Sequence, residues 1–406
     1  MSMTTSQARG AAALAAAGVA LAASLVLILK SAPETRIARH MKWVRKLGFK
    51  TLRMELLIAC DLAIQCGEAM LATAGASAKL KDGQGGIDPQ TKTDLTNERL
   101  VMDTLAATFP DHDLIGEETA AAAGKVPAVD PSRPTWIVDP IDGTQNFCHS
   151  LPVAAVSIGL CVDGKPAMGV IYDPYRGMLF YLRFILRTRI SLSLIPLVLL
   201  CVPDELYVGV ASEGAYLNGA RIQSSGFCTE LTQAMVLTDV GYERSQKGAQ
   251  RLAACHEALL NANTFGVRII GSTVLALAWL AAGRCSAVYM GVCKKDCPKA
   301  WDWCAAWAIG MASGVSFLRL NGGGGIVEEN PFDLTSPSVV AAGSEDLAKQ
   351  LRKVLCKALV QVPDPSPPRS PPKNHTGFPN GKNGSPKKNG HAKNGSANGN
   401  NGNGVH

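Results

Sequence analysis

Residues 135–147 read TWIVDPIDGTQNF: an apolar stretch ends in Asp139, a second carboxylate follows at Asp142, and Gly143 and Thr144 come directly after. Two acids this close repel and raise each other's pKa unless positive charge lies between them. Either both are solvated turn residues or they share a cation. Two further stretches bear on that choice. DLIGEET carries Glu117 and Glu118 at a second apolar exit, and Asp302 stands between Trp301 and Trp303 at the start of an apolar run. Asp302 could cap a helix N-terminus. Joined to the other acids, it could complete a magnesium site, because hard divalent cations take carboxylate oxygens, carbonyls and waters.

The elements that must position these groups follow from local pattern. MELLIACDLAIQCGEAML spaces its apolar residues as an amphipathic helix does, and NERLVMDTLAATFP reads as a second helix stopped by Pro110. Asp94 could cap that second helix near Thr96. VAAVSIGLCVDGKPAMGVIYDP reads as two strands around an Asp163-Gly164 turn. WDWCAAWAIGMASG is apolar nearly all round and reads as a buried helix. Asp139 and Asp142 then lie at the exit of an apolar strand, where α/β proteins commonly hold ligands.

Taken together, these motifs resemble the inositol monophosphatase family of magnesium-dependent, lithium-sensitive phosphatases. The family's D-P-[ILV]-D-G-T-x-N-F segment is matched by Asp139 to Phe147, and its G-E-E segment by Gly116 to Glu118. W-D-x-A-A is met by Trp301 to Ala306, with Cys304 at the usual first apolar position, and D-x-x-T-x-T-D by DPQTKTD, Asp88 to Asp94. GAYLNGARI and NPFDLTSPSVVAA are further landmarks. The resemblance spans about residues 52–358 apart from one insert, and it implies a layered αβαβα sandwich of α/β (α+β) class, assembled as a homodimer.

It also implies roles. Glu117, Asp139 and the carbonyl of Ile141 would hold one Mg²⁺. Asp139, Asp142 and Asp302 would hold a second, with Glu117 and waters contributing to a third. Asp94 and Thr144 would orient and deprotonate the attacking water, and the amides of Gly143 and Thr144 would receive phosphate oxygens. RIIGST, with Gly271, Ser272 and Thr273, resembles the segment lining the family's polyol or sugar pocket. Glu118 is expected to be a supporting or surface acid, and His149 a structural turn residue. The implied reaction is hydrolysis of a small phosphate monoester, inositol monophosphate first, by metal-activated water. The alternatives are a sugar phosphate, histidinol phosphate or 3′-phosphonucleotide, or a silent inositol-phosphate-binding protein. Many inositol phosphatases place a glutamate shortly before W-D, whereas this chain has Tyr289 there, with Asp296 in a longer loop as a substitute.

Composition bounds the rest. The formal charge of +7 sits at the ends: residues 1–50 hold eight Lys/Arg against Glu34 alone, residues 364–406 hold six against Asp364, and 51–363 is left at −5. A nucleic-acid polymer partner is therefore excluded from the expectations. The twelve cysteines lack the density of a disulfide framework. Cys293, Cys297 and Cys304 lack paired zinc-ligand spacing, so core or loop thiols in a reducing compartment are expected.

Residues 1–46 form an N-terminal segment whose nineteen-residue apolar run, 11–29, is just long enough to span a bilayer. The basic residues after it would keep the catalytic domain on the cytoplasmic side. A membrane anchor is favoured over a cleaved targeting peptide, such as an organellar one, or an alanine-rich helix. Residues 47–360 are the expected catalytic domain and 361–406 a disordered Pro/Gly/Asn/Lys tail. Within the domain, 177–203 is an anomalous hydrophobic insert that interrupts an apparent hairpin between YDP and DELYVGV. Its composition fits a translated intron, or a loop extruded from that hairpin onto a membrane.

Overall fold

A computed structural model describes residues 35–81, 88–176, 204–224, 226, 228–293, 297–320, 333–336 and 338–363. The apolar run 11–29, the insert 177–203, Asp296 and the tail after 363 lie outside these residues.

Thr35 opens helix α1 (Arg36–Val44) by accepting the Ala38 amide. Helix α2 (Arg53–Thr73) follows, with Leu56, Ala63, Ile64 and Met70 buried. Among the described residues it is the one helix long and apolar enough to cross a membrane, and it forms part of the domain core. Strands β1 (Ala78–Leu80) and β2 (Pro89–Thr91) pair antiparallel. Helix α3 (Lys92–Thr108) begins earlier than the apolar spacing predicts. Its cap is Thr91, and Asp94 is the third helical residue, reaching back to the Thr91 amide in a capping box.

Strand β3 (Asp113–Gly116), helix α4 (Glu117–Ala122), strand β4 (Thr135–Asp142) and the short helix α5 (Thr144–Cys148) carry most of the acidic motifs. Next come β5 (Ala155–Val162), β6 (Lys165–Asp173), β7 (Glu205–Val210), β8 (Gly214–Leu217) and β9 (Ala220–Ile222). β3 to β9 form one sheet in chain order, antiparallel except for the β3–β4 pair. The predicted hairpin is present: Asp163 and Gly164, both at positive φ, join β5 to β6. The strands flanking the insert pair directly, Asp173 opposite Glu205, so β6 and β7 are one interrupted hairpin.

A second sheet takes β10 (Met235–Thr238), β11 (Gly266–Ile269), β12 (Ala287–Met290), β13 (Ser316–Leu318) and β14 (Val339–Ala342) in the order β11-β10-β12-β14-β13. Helices α6 (Gln246–Asn261), α7 (Thr273–Ala281), α8 (Ala300–Ser313) and α9 (Glu345–Gln361) connect or flank it. Five layers result. α2 and α3 cover one face of the large sheet, α7 and α8 lie between the sheets, and α6 and α9 cover the small sheet's outer face. This is the expected αβαβα sandwich.

A row of glycines sets the depth of the middle layer. Gly159, Gly169 and Gly209 are cross-strand neighbours on β5, β6 and β7. A Cβ on Gly169 would stand 2.2 Å from the Ala305 carbonyl oxygen, and one on Gly159 2.5 Å from the Cys304 sulfur. Helix α8 therefore rests almost on the sheet backbone, which the absence of side chains permits.

Candidate active site

Alternation along a strand puts residues three apart on opposite faces. Asp139 and Asp142 escape that rule because β4 is bulged between them: Asp139 pairs with Ser157, yet Asp142 pairs with Ala155. Pro140, which cannot donate to a ladder, sits within the bulge. The extra residue restores the parity, and both carboxylates reach one cluster. From the middle layer, Asp302 joins them as the third residue of α8, where its carboxylate accepts the Lys299 amide and so caps the helix start. Both readings of Asp302 are thus realised, cap and cluster member. Single carboxylate oxygens of Asp139, Asp142 and Asp302 lie within 4.8 Å of one another.

Glu117, the first residue of α4, lies in hydrogen-bond range of Asp139 and feels the charge of Asp302. Its turn is fixed from behind: buried Glu98 on α3 accepts the amides of Glu118 at 2.7 Å and Thr119 at 2.8 Å. Glu118 is buried instead of at the surface, and it pairs with Lys81 at 3.1 Å.

So many acids in one place cannot all carry charge unaided. Burial first, then the Asp302 charge, raise Glu117 to about 7, with Lys81 and the hydrogen bond to Asp139 opposing. Burial first, then the Glu117 charge, raise Glu118 to about 7. Burial also lifts Asp302 to about 6 and holds Asp139 and Asp142 well above the ordinary carboxylate range. Lys81 supplies a counter-charge, 2.7 Å from Glu117 and 4.0 Å from Asp88. Lys299 adds a second positive charge near Asp302, yet two ammoniums do not balance five carboxylates. The donor set, hard oxygens converging from three elements with too little positive charge, fits a divalent cation.

Asp142 is held by the start of α7. The Ser272 hydroxyl and the Val274 amide, at 3.0 Å, both donate to its Oδ2. Ser272 is thereby turned to Asp142, and it also caps α7 through the Leu275 amide. Gly271, at φ +74, lies beside Asn146, whose amide nitrogen donates to the carbonyls of Val153, Ile270 and Gly271. That one side chain ties the large sheet to the α7 loop. Gly143, at φ +84, has no room for a side chain, since a Cβ would stand 2.8 Å from the Val153 carbonyl oxygen.

Beside the cluster, Thr144 Oγ1 lies 3.3 Å from Asp94 Oδ1 and 2.9 Å from the Ile141 carbonyl. Asp94 is fully buried, and burial raises its pKa against the hydrogen bonds from Thr91. It is an acid placed to exchange a proton with the threonine hydroxyl. His149 is an exposed cap residue of α5, its Nδ1 against the Gln145 carbonyl.

Three residues come to the site without a signal in their own neighbourhood. Lys81 follows a short exposed strand and is buried only when the β1–β2 hairpin closes. Asp239 follows β10 and acts on Asp142 and Asp302 through its charge. An acid at a strand exit could have flagged it, as it flagged Asp139. Tyr242 donates to Asp88 at 3.3 Å and lies near Glu117 and Asp302. Tyr289, by contrast, is 1 % exposed and packs in the outer core beneath the small sheet, away from the acids. The three cysteines weighed as zinc ligands are otherwise engaged: Cys304 faces Cys161 at 3.5 Å, Cys293 turns to the Gly248 carbonyl, and Cys297 donates to the Cys293 carbonyl at 3.4 Å.

The chain is similar to known proteins in sequence and in fold. The model of the inositol monophosphatase family matches residues 52–363. Human inositol monophosphatase 2 is 34 % identical over 298 residues, covering 73 % of this chain and 88 % of that protein. Bovine inositol monophosphatase 1 is 30 % identical over 296 residues, covering 73 % and 91 %. In fold, the chain is similar to the inositol monophosphatase of Anabaena (TM-score 0.56, 24 % identity, 77 % of this chain and 98 % of that one). It is likewise similar to that of Thermotoga maritima (TM-score 0.58, 21 % identity, 76 % and 99 %).

Proposed function

The chain belongs to the inositol monophosphatase family, a family of phosphoric monoester hydrolases, and on that premise we propose that it hydrolyses inositol monophosphate in a Mg²⁺-dependent reaction. The observation that carries this reading is the convergence of Asp139, Asp142 and Asp302 within 4.8 Å beside the Asp94–Thr144 pair.

Glu117, Asp139, the Ile141 carbonyl, Asp142 and Asp302 are the groups that would hold the metal. Mg²⁺ bound there supplies positive charge against a phosphate dianion and acidifies water. The chain's own residues do the rest. Asp94 takes a proton through the Thr144 hydroxyl, across a 3.3 Å contact that shortens when substrate is bound. The amides of Gly143 and Thr144 receive phosphate oxygens, while Gly271 and Thr273 border the substrate. Ser272 acts on the substrate indirectly, by fixing Asp142. Such positioning and charge complementarity, with no covalent intermediate, is what phosphoryl transfer to water needs.

One observation favours a second substrate reading. No carboxylate stands at Tyr289, which is buried in the outer core, so the alcohol part of the substrate is read by other groups. Tyr242 and Asp239 are the described residues nearest that role, and they suit a sugar phosphate as well as inositol phosphate. The test is phosphate release from a panel of inositol, sugar, histidinol and 3′-nucleotide monophosphates with and without Mg²⁺. Fastest turnover of inositol monophosphate supports the first reading. No turnover of any member overturns both.

A further inference from the structure

We infer that the edge of the large sheet where β6 ends and β7 begins is a membrane-facing surface, seated on a bilayer that carries anionic headgroups. Three chain boundaries far apart in sequence meet there. Asp204, the first described residue after the insert, is gripped by Arg39 and, at 3.0 Å, by His40 of helix α1. Tyr172, at the end of β6, donates to the same carboxylate, and its ring meets His40 edge-on at 5.8 Å. Arg176, the last described residue before the insert, pairs with Asp173, which faces Glu205 in register. The N-terminal apolar run 11–29 and the apolar insert sequence SLSLIPLVLLCV therefore both join the folded domain at this one edge. From Leu29 to Arg36 the chain can extend at most about 25 Å.

Helix α1 lies outside the region shared with the family, yet it is firmly docked. Trp43 donates to His40 Nδ1 at 3.1 Å and covers Gly219, and Phe49 meets Tyr216 edge-on. With His40, Met41 and Val44 turned inward, Lys42, Arg45 and Lys46 are exposed around and just past the helix. These cations are out of keeping with the rest of the domain, since 51–363 carries a net −5. A basic face next to two apolar sequences matches a bilayer with anionic lipids, where each surface lysine or arginine adds to the attraction. An acidic protein partner would explain the charge but not the apolar sequences.

The same edge bears the acid cluster. Helix α7 starts on Asp142 through Ser272 and Val274, and just past its end Arg284 holds Glu205 with two bonds of 2.7 and 2.8 Å. Nine helical residues, about 14 Å, thus separate the cluster from the insert's junction.

The test uses the full chain in nanodiscs of phosphatidylcholine, with or without phosphatidylserine. Acylation rates are measured at Lys42 and Lys46, with Lys353 and Lys357 on α9 as internal references. Severalfold slowing at the first set alone, and only with phosphatidylserine, is expected. Equal slowing at both sets, no slowing, or slowing that tracks protein concentration, which would mark a second copy as the occupant, overturns the inference. The triple variant Lys42→Glu, Arg45→Glu, Lys46→Glu should keep its phosphate release in solution. Its preference for phosphatidylserine over phosphatidylcholine vesicles should fall at least tenfold, and an unchanged preference overturns the inference too.

Discussion

Asp139 and Asp142 share one face of β4 only because a bulge at Pro140 lies between them. The pair is thus a geometric unit whose charges need outside neutralisation. Asp139→Asn, which keeps the shape and the Ile141 amide contact at 3.0 Å, should leave the protein folded. Phosphate release should drop by about a thousandfold or more, as when charge stabilisation of the transition state is removed. A rate within tenfold of the parent would refute the assignment.

If Thr144 and Asp94 form the proton path as proposed, Thr144→Ala and Asp94→Asn should lower kcat by about 10² to 10⁴ with KM little changed. The double variant should be hardly worse than either single one, because both remove one path. Additive losses in steady-state kinetics would separate the two residues.

Ser272 donates to Asp142 while capping α7. Ser272→Ala should weaken the apparent Mg²⁺ affinity by about 10- to 100-fold, the usual cost of losing a ligand's supporting hydrogen bond. At saturating Mg²⁺ the substrate KM should be near normal. A raised KM with unchanged Mg²⁺ dependence would place Ser272 on the substrate instead.

The raised acids make metal-free stability depend on pH in an uncommon direction. With Glu117 near 7 and Asp302 near 6 when folded, and ordinary values near 4 when unfolded, the native state binds more protons between those limits. Stability without metal is then fullest below pH 4 as far as these groups decide it, and it is lost as pH rises through 7. On the proposed reading Mg²⁺ would replace the protons, so the gain in Tm on adding it should be larger at pH 8 than at pH 5. Thermal melts at both pH values with EDTA or Mg²⁺ check this; an equal gain would contradict it.

Gly169→Ala would drive a methyl into the Ala305 backbone. A loss of about 3 kcal/mol or more is expected from overpacking against backbone that cannot step aside. Urea denaturation measures it, and a change below about 0.5 kcal/mol, the range of neutral surface changes, would mean that α8 rests elsewhere.

The sequence carried the local elements well. An Asp-Gly pair between alternating strands marks the β5–β6 turn because only a few residues tolerate positive φ there, and the all-round apolar run 300–313 could only be a buried helix. The start of α3 was missed by four residues. Thr91 and Asp94 cap it through bonds that an apolar pattern does not register. Lys81 and Tyr242 were illegible for a deeper reason: their positions depend on how a hairpin and a loop close over the acids. The bulge that aligns Asp139 with Asp142 is likewise a property of two paired strands.

The three aligned glycines make Asp302 the working end of a lever. Helix α8 bears on the sheet along much of its length, so anything that lifts it there swings its first turn, where the acid sits, away from Asp139 and Asp142. Mild heating or a small bulky replacement beneath the helix should therefore silence the enzyme while most of the molecule is still folded.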